Sequence, residues 1–115
     1  MKKDVKVYFQ DILDSISKIE EYTNGVSFKD FENNSEHQDA CIRRLEIIGE
    51  AVKKLPDNIK GKSPNIPWKQ IAGTRDVLIH EYAGVALERV WKVITDDLQP
   101  LKNAVLKILK DYPHL

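Results

Sequence analysis

Apolar residues recur at three- and four-residue steps along most of this chain, the spacing that lines one face of a helix. Val5, Tyr8, Phe9, Ile12, Leu13, Ile16 and Ile19 form the first stripe, which predicts an amphipathic helix over ~4–23. Asn24-Gly25 supplies its stop. A short helical turn is expected in Ser27-Phe28-Lys29-Asp30-Phe31, with both phenylalanines turned inward. Ser35-Glu36-His37-Gln38 has the form of a capping box. It opens a second long helix, striped by Cys41, Leu45, Ile48, Val52 and Leu55 and stopped by Pro56. Gly49 lies inside that helix at a cost of ~1 kcal/mol relative to alanine, and close approach of another helix is the expected reason.

Asp57 to Asn65, with Gly61 and Pro64, reads as a loop. Pro67 suits the first position of a third helix, which runs through Trp68, Ile71 and Leu78. Beyond Gly84 a last helix is expected over ~86–110, striped by Leu87, Val90, Trp91, Ile94, Leu98, Leu101, Val105 and Ile108. Pro100 falls inside that pattern and should kink or divide it. Valine and isoleucine nowhere alternate with polar residues between turns. The expected fold is therefore all-α, an up-and-down four-helix bundle with short extra helices.

At 115 residues, the chain is expected to form a single domain over 1–115. A hydrophobic fraction of 42% suffices for a core, and 31% charged residues suits a solvated helical surface. No run approaches the ~20 apolar residues that span a bilayer, and the basic start at Lys2-Lys3 is not followed by the apolar stretch of a signal peptide. The lone Cys41 leaves no intramolecular disulfide and reads as a small buried apolar side chain. A cytoplasmic protein without membrane partners is expected.

Net charge is zero, but it is unevenly placed. Residues 42–75 hold eight basic groups against three acidic ones, and the rest of the chain is acidic by the same margin. Arg43, Arg44 and Lys69 are the candidates in that stretch for contact with nucleic-acid phosphates. The same side chains would serve equally as an ordinary solvated helix surface.

Chemistry concentrates in Arg75-Asp76-Val77-Leu78-Ile79-His80-Glu81-Tyr82, an Arg-x4-His-x-Tyr pattern. Arginine offers a planar fork of donors that matches phosphate, and histidine exchanges protons near neutral pH. On a regular helix the five positions from Arg75 to His80 turn ~500° and rise ~7.5 Å, leaving the two residues ~140° apart. Two arrangements would bring them to one phosphate. The helix ends or distorts around His80, or two copies of the segment meet across a two-fold axis. Cleavage of a phosphodiester whose own neighbouring hydroxyl attacks would require no serine or cysteine nucleophile. His37, His80 and His114 lack metal-site spacing, and Glu46 and Glu50 have no histidine at helical spacing. These glutamates read as ion-pair partners for Arg43, Arg44 or Lys53, and Asp96-Asp97 as a solvated helix face. No glycine-rich phosphate loop is present. Neither a metal nor a cofactor is expected.

The pattern lies within a longer ordered series. Asp11-Ile12-Leu13-Asp14-Ser15-Ile16 with Ile19-Glu20-Glu21-Tyr22, then Ile42 through Ala51, then Ile66-Pro67-Trp68 through Gly73, lead into it, and Val85 and Val90-Trp91 follow. Together these segments resemble the HepT-like branch of the HEPN superfamily, small toxin ribonucleases. The resemblance implies a HEPN-like bundle, a homodimer whose clefts hold the motif, and metal-independent cleavage of RNA by Arg75 and His80. It makes Asp76 the supporting polar residue after the arginine, a position where asparagine is commoner. Tyr82 matches the tyrosine that a cognate nucleotidyltransferase antitoxin modifies with AMP in such toxin–antitoxin pairs. The alternatives are a non-catalytic HEPN helical adaptor that binds a nucleotidyltransferase or a nucleotide, and a purely structural dimeric bundle.

Overall fold

A computed structural model describes residues 4–80 and 87–115, with the side chains of 75–80 excepted. Its elements are α1 (Val5–Thr23), α2 (Phe28–Glu32), α3 (Ser35–Lys54), α4 (Asp57–Lys60), α5 (Trp68–His80), α6 (Leu87–Lys92), a π-helical turn (Val93–Asp97) and α7 (Leu98–Asp111). Among the described residues there is no strand, and no helix is long and apolar enough to cross a membrane. The fold is the expected all-α, HEPN-like arrangement of four long helical segments with short helices between them.

α3 is the central element, flanked by α1 and α5, while α7 packs on α1 and the short α2 bridges α3 and α6. The stripes explain this order. Phe9, Ile12, Ile16 and Ile19 of α1 are buried against Cys41, Leu45, Ile48 and Val52 of α3, with Leu101, Val105 and Ile108 of α7 in the same core. Each such side chain removed from water contributes ~1.5–3 kcal/mol. Gly49 is buried on α3. Phe31 and Phe28 turn inward as expected, and their rings lie 5.1 and 6.1 Å from that of Trp91, which ties α2 to α6.

The helix ends follow from local chemistry. Thr23-Asn24-Gly25-Val26 is a type II turn, with Asn24 at φ −61° and ψ 118°, Gly25 at φ +73°, and the Val26 amide donating to Thr23 O at 3.0 Å. The capping box lies at Ser27, not Ser35. The Ser27 hydroxyl accepts from the Asp30 amide at 3.1 Å, and the Asp30 carboxylate accepts from the Ser27 amide. α3 is capped by Asn34, which accepts from the His37 amide at 3.0 Å, so Ser35 is already helical. The Gln38 side chain serves α2 instead, donating its amide at 2.9 Å to the carbonyls of Phe31 and Glu32.

Two further segments depart from expectation. Asp57–Lys60, read as loop, forms the short α4, whose Ile59 is buried. The Trp68 indole clamps this connection by donating to Lys60 O (3.0 Å) and Ser63 O (2.9 Å). α5 starts at Trp68, and Pro67 stands one position ahead of it, its carbonyl accepting from the Ile71 amide. Pro100 does divide the last helix, through a π turn placed ahead of it. A proline ring would clash with the Asp96 carbonyl four residues back, and widening Val93–Asp97 relieves that contact. The Thr95 hydroxyl covers carbonyls at the widened turn, donating to Trp91 O at 3.0 Å.

Ser15 lies on the core face of α1, 1% exposed, and its hydroxyl has no hydrogen-bond partner among the described residues. A buried hydroxyl left unpaired costs ~1–3 kcal/mol. Ser15→Ala is therefore expected to raise stability by ~1 kcal/mol, read as a higher midpoint in urea unfolding. A lower midpoint would show that the hydroxyl is satisfied in solution.

Candidate functional site

The candidate site is built on α5, whose first half is fixed by Trp68 and Ile71 in the core. Its later half carries the motif. Arg75, Asp76 and His80 lie on this helix, five positions separating the arginine from the histidine. In regular helical register they fall ~140° apart, on different faces of α5. The side chains of Arg75, Asp76 and His80 lie outside the described residues, as does Tyr82 altogether.

α3 packs along α5, and the chain reverses between them through α4. Arg43 and Arg44 lie at the middle of α3. Arg43 is exposed, with Glu46 at 3.6 Å. Such a surface pair contributes less than ~1 kcal/mol and releases its arginine readily to a phosphate. Arg44 is half-buried and makes no ion pair among the described residues. Lys69 is exposed in the first turn of α5, ~16 Å along the helix axis from His80. The three RNA-contact candidates divide between elements, the two arginines at the middle of α3 and the lysine in the first turn of α5.

The remaining carboxylates take structural places. Glu46 pairs with Arg43 as expected, while Glu50 pairs with Lys54 at 3.3 Å, one residue beyond the expected Lys53. The i,i+4 geometry favours Lys54 over a neighbour three positions on. Asp96 is exposed, but Asp97 is half-buried, and burial followed by the adjacent Asp96 charge raises its carboxyl above the usual range against the opposing pull of Lys92. Burial raises the Cys41 thiol to about 11, so it stays protonated at neutral pH and is no nucleophile. Among the described residues no three His, Cys, Asp or Glu side chains come together as a metal site. The tight fit of Trp68 onto the Lys60 and Ser63 carbonyls was not legible in the spacing, because four-residue helices leave no periodic trace.

Comparison with known proteins gives this arrangement a context. Residues 12–108 match the family model described as ribonuclease HepT-like. The chain is 44% identical over 110 residues to a Thermococcus cleftensis protein named "Probable ribonuclease HepT", covering 96% of this chain and 100% of that one. It is 49% identical over 111 residues to a Methanocaldococcus jannaschii protein named "Gamma-glutamylcyclotransferase and putative RNase". That match covers 96% of this chain but 50% of the relative, so the chain spans half the length of that protein. No solved structure matches. With nearly its whole length aligned and α5 carrying the Arg-x4-His series, the chain belongs to the ribonuclease HepT-like family.

Proposed function

We propose that this protein is a metal-independent RNA endonuclease, the toxin of a toxin–antitoxin pair, and that it works as a homodimer. The observation that carries the reading is the placement of Arg75 and His80 on one helix of a HepT-like ribonuclease fold. Cleavage needs little beyond them. A base takes the proton of the 2′-hydroxyl, the freed oxygen attacks phosphorus, the bond to the 5′-oxygen breaks, and that oxygen gains a proton. His80 supplies proton transfer, the work a histidine does near neutral pH, and Arg75 stabilises the extra negative charge on the phosphoryl oxygens through paired hydrogen bonds. The products are a 2′,3′-cyclic phosphate and a 5′-hydroxyl.

Two protons must move, and one histidine per chain is in the motif. A two-fold axis that brings two copies of α5 together provides two histidines and two arginines in one cleft. The different faces on which Arg75 and His80 fall in α5 favour such a shared cleft over a site within one chain.

The test is paired. Light scattering coupled to gel filtration is expected to give twice the 13.2 kDa chain mass. The purified protein in excess chelator is expected to cut single-stranded RNA and leave cyclic phosphate ends. A monomer at micromolar concentration sinks the shared cleft, and cleavage that stops in chelator sinks the metal-free chemistry.

A further inference from the structure

A second feature lies away from the later turns of α5. The loop after α4 and the middle of α7 enclose a groove of about 420 Å³, lined by Lys62, Ser63, Asn65, Asn103 and Lys107 over a floor that includes Ile66. No carboxylate lines it. Neither lysine makes an ion pair among the described residues. The donors are open as well. Ser63 is a buried residue whose hydroxyl has no partner within the described chain, and Asn65 is likewise unengaged through its side chain. Asn103 accepts from Gln99 through its oxygen at 3.1 Å, which leaves its amide hydrogens free. The Lys62 ammonium is held 3.6 Å from the ring centroid of Tyr112, an exposed aromatic beside the groove.

Two unpaired cations, three neutral donors and an exposed ring form the set that single-stranded nucleic acid uses. Lysines follow the backbone charge, amides and hydroxyls bind phosphate oxygens or base edges, and the Tyr112 ring beneath Lys62 holds that ammonium in place. We propose that this groove is a second RNA-binding subsite, which holds the backbone of a single strand several nucleotides from the scissile phosphate. The proposal rests on the ribonuclease reading for its ligand. The groove lies near the first turn of α5, whose 13 residues span ~20 Å, so one strand can reach both ends. The subsite also gives the basic excess of residues 42–75 a place to act, since Lys62 belongs to it. It distinguishes long RNA from short, because a trinucleotide at the α5 motif does not extend into the groove.

The experiment measures binding of fluorescein-labelled 2′-O-methyl oligouridylates, which lack the hydroxyl that cleavage requires. A 12-mer and a trinucleotide are compared by anisotropy over a series of salt concentrations. In Lys62→Gln/Lys107→Gln the affinity for the 12-mer is expected to fall about tenfold, and its advantage over the trinucleotide to shrink by the same factor. The slope of log affinity against log salt should drop by about 1, the scale for one to two lost phosphate contacts on a single strand. The Lys62→Arg/Lys107→Arg variant should restore both, which separates charge from packing. Unchanged affinity and slope in the glutamine variant would overturn the subsite. So would loss of a protein partner from that variant with RNA binding intact, since the groove would then be a protein contact. Wild type that binds the 12-mer through these lysines but cuts no RNA would leave the subsite standing and remove the ribonuclease reading.

Discussion

Replacing His80 or Arg75 by alanine is expected to lower the rate of RNA cleavage by roughly 10²-fold or more, the scale for a lost acid–base group or a lost charge-stabilising donor. The two losses differ in kind. Without His80, proton transfer falls to water, and the pH dependence near neutrality should flatten with the rate. Without Arg75, proton transfer survives but the charge that builds on the phosphoryl oxygens is unopposed. Arg75→Lys should recover only part of the rate, because an ammonium supplies charge without the two-pronged geometry. The double variant should be little worse than the worse single one, since groups acting in one step are not additive. Initial rates on a labelled single-stranded RNA, with each variant shown folded by circular dichroism, decide the matter. Equal cleavage by wild type and His80→Ala would identify a contaminating nuclease and refute the assignment.

Most of the helical frame was legible because long amphipathic segments repeat their message. Four or more apolar residues at three- and four-residue steps marked α1, α3 and α7, and the side chains of those stripes are the ones buried. Short-range features were harder to read. Asn34 and Ser35 are both good caps side by side, and it is Asn34 whose oxygen accepts from the His37 amide, a choice that the two adjacent residues do not announce. α4 has only four residues, and what holds it in place is an indole eight residues along from the Lys60 carbonyl. Pro100 announced an interruption but not its form, since a π turn and a kink relieve the same clash.

The candidate site was legible in another way. No periodicity distinguishes Arg75 or His80 from other polar residues on a helix; their spacing within an ordered series of segments does. Residue numbers alone place them on different faces of α5, so the sequence already posed the question of how they meet. The partners of the site were less accessible. Arg43, Arg44 and Lys69 are equivalent as members of one basic stretch, and the helices that carry them divide them, the arginines on α3 and the lysine at the start of α5. The groove lined by Lys62 and Lys107 joins residues 45 positions apart in the chain, a juxtaposition that charge counting within a window does not detect.

Co-expression with a cognate nucleotidyltransferase is expected to convert Tyr82 to an AMP ester and abolish RNA cleavage. In the transfer the tyrosine oxygen attacks the α-phosphorus of ATP, the bond to the β-phosphate bridge breaks, pyrophosphate leaves, and the phenolic proton passes to solvent. The residue stands two positions beyond His80 and seven beyond Arg75 in the sequence. An adenylate there would add a bulky group and a phosphodiester charge seven residues along the chain from the arginine proposed to hold the substrate. Arginine pairs with phosphate in a fork, so a tethered phosphate competes with RNA at high effective concentration. Its negative charge also repels the incoming backbone, a second reason for cleavage to stop. Intact-protein and peptide mass spectrometry should find AMP increments on the peptide that contains Tyr82 and none in Tyr82→Phe. That variant should remain toxic, or remain active on RNA, in the presence of the transferase and ATP. A fully inhibited complex without a mass increment would mean neutralisation by binding alone, and the modification would have to be abandoned.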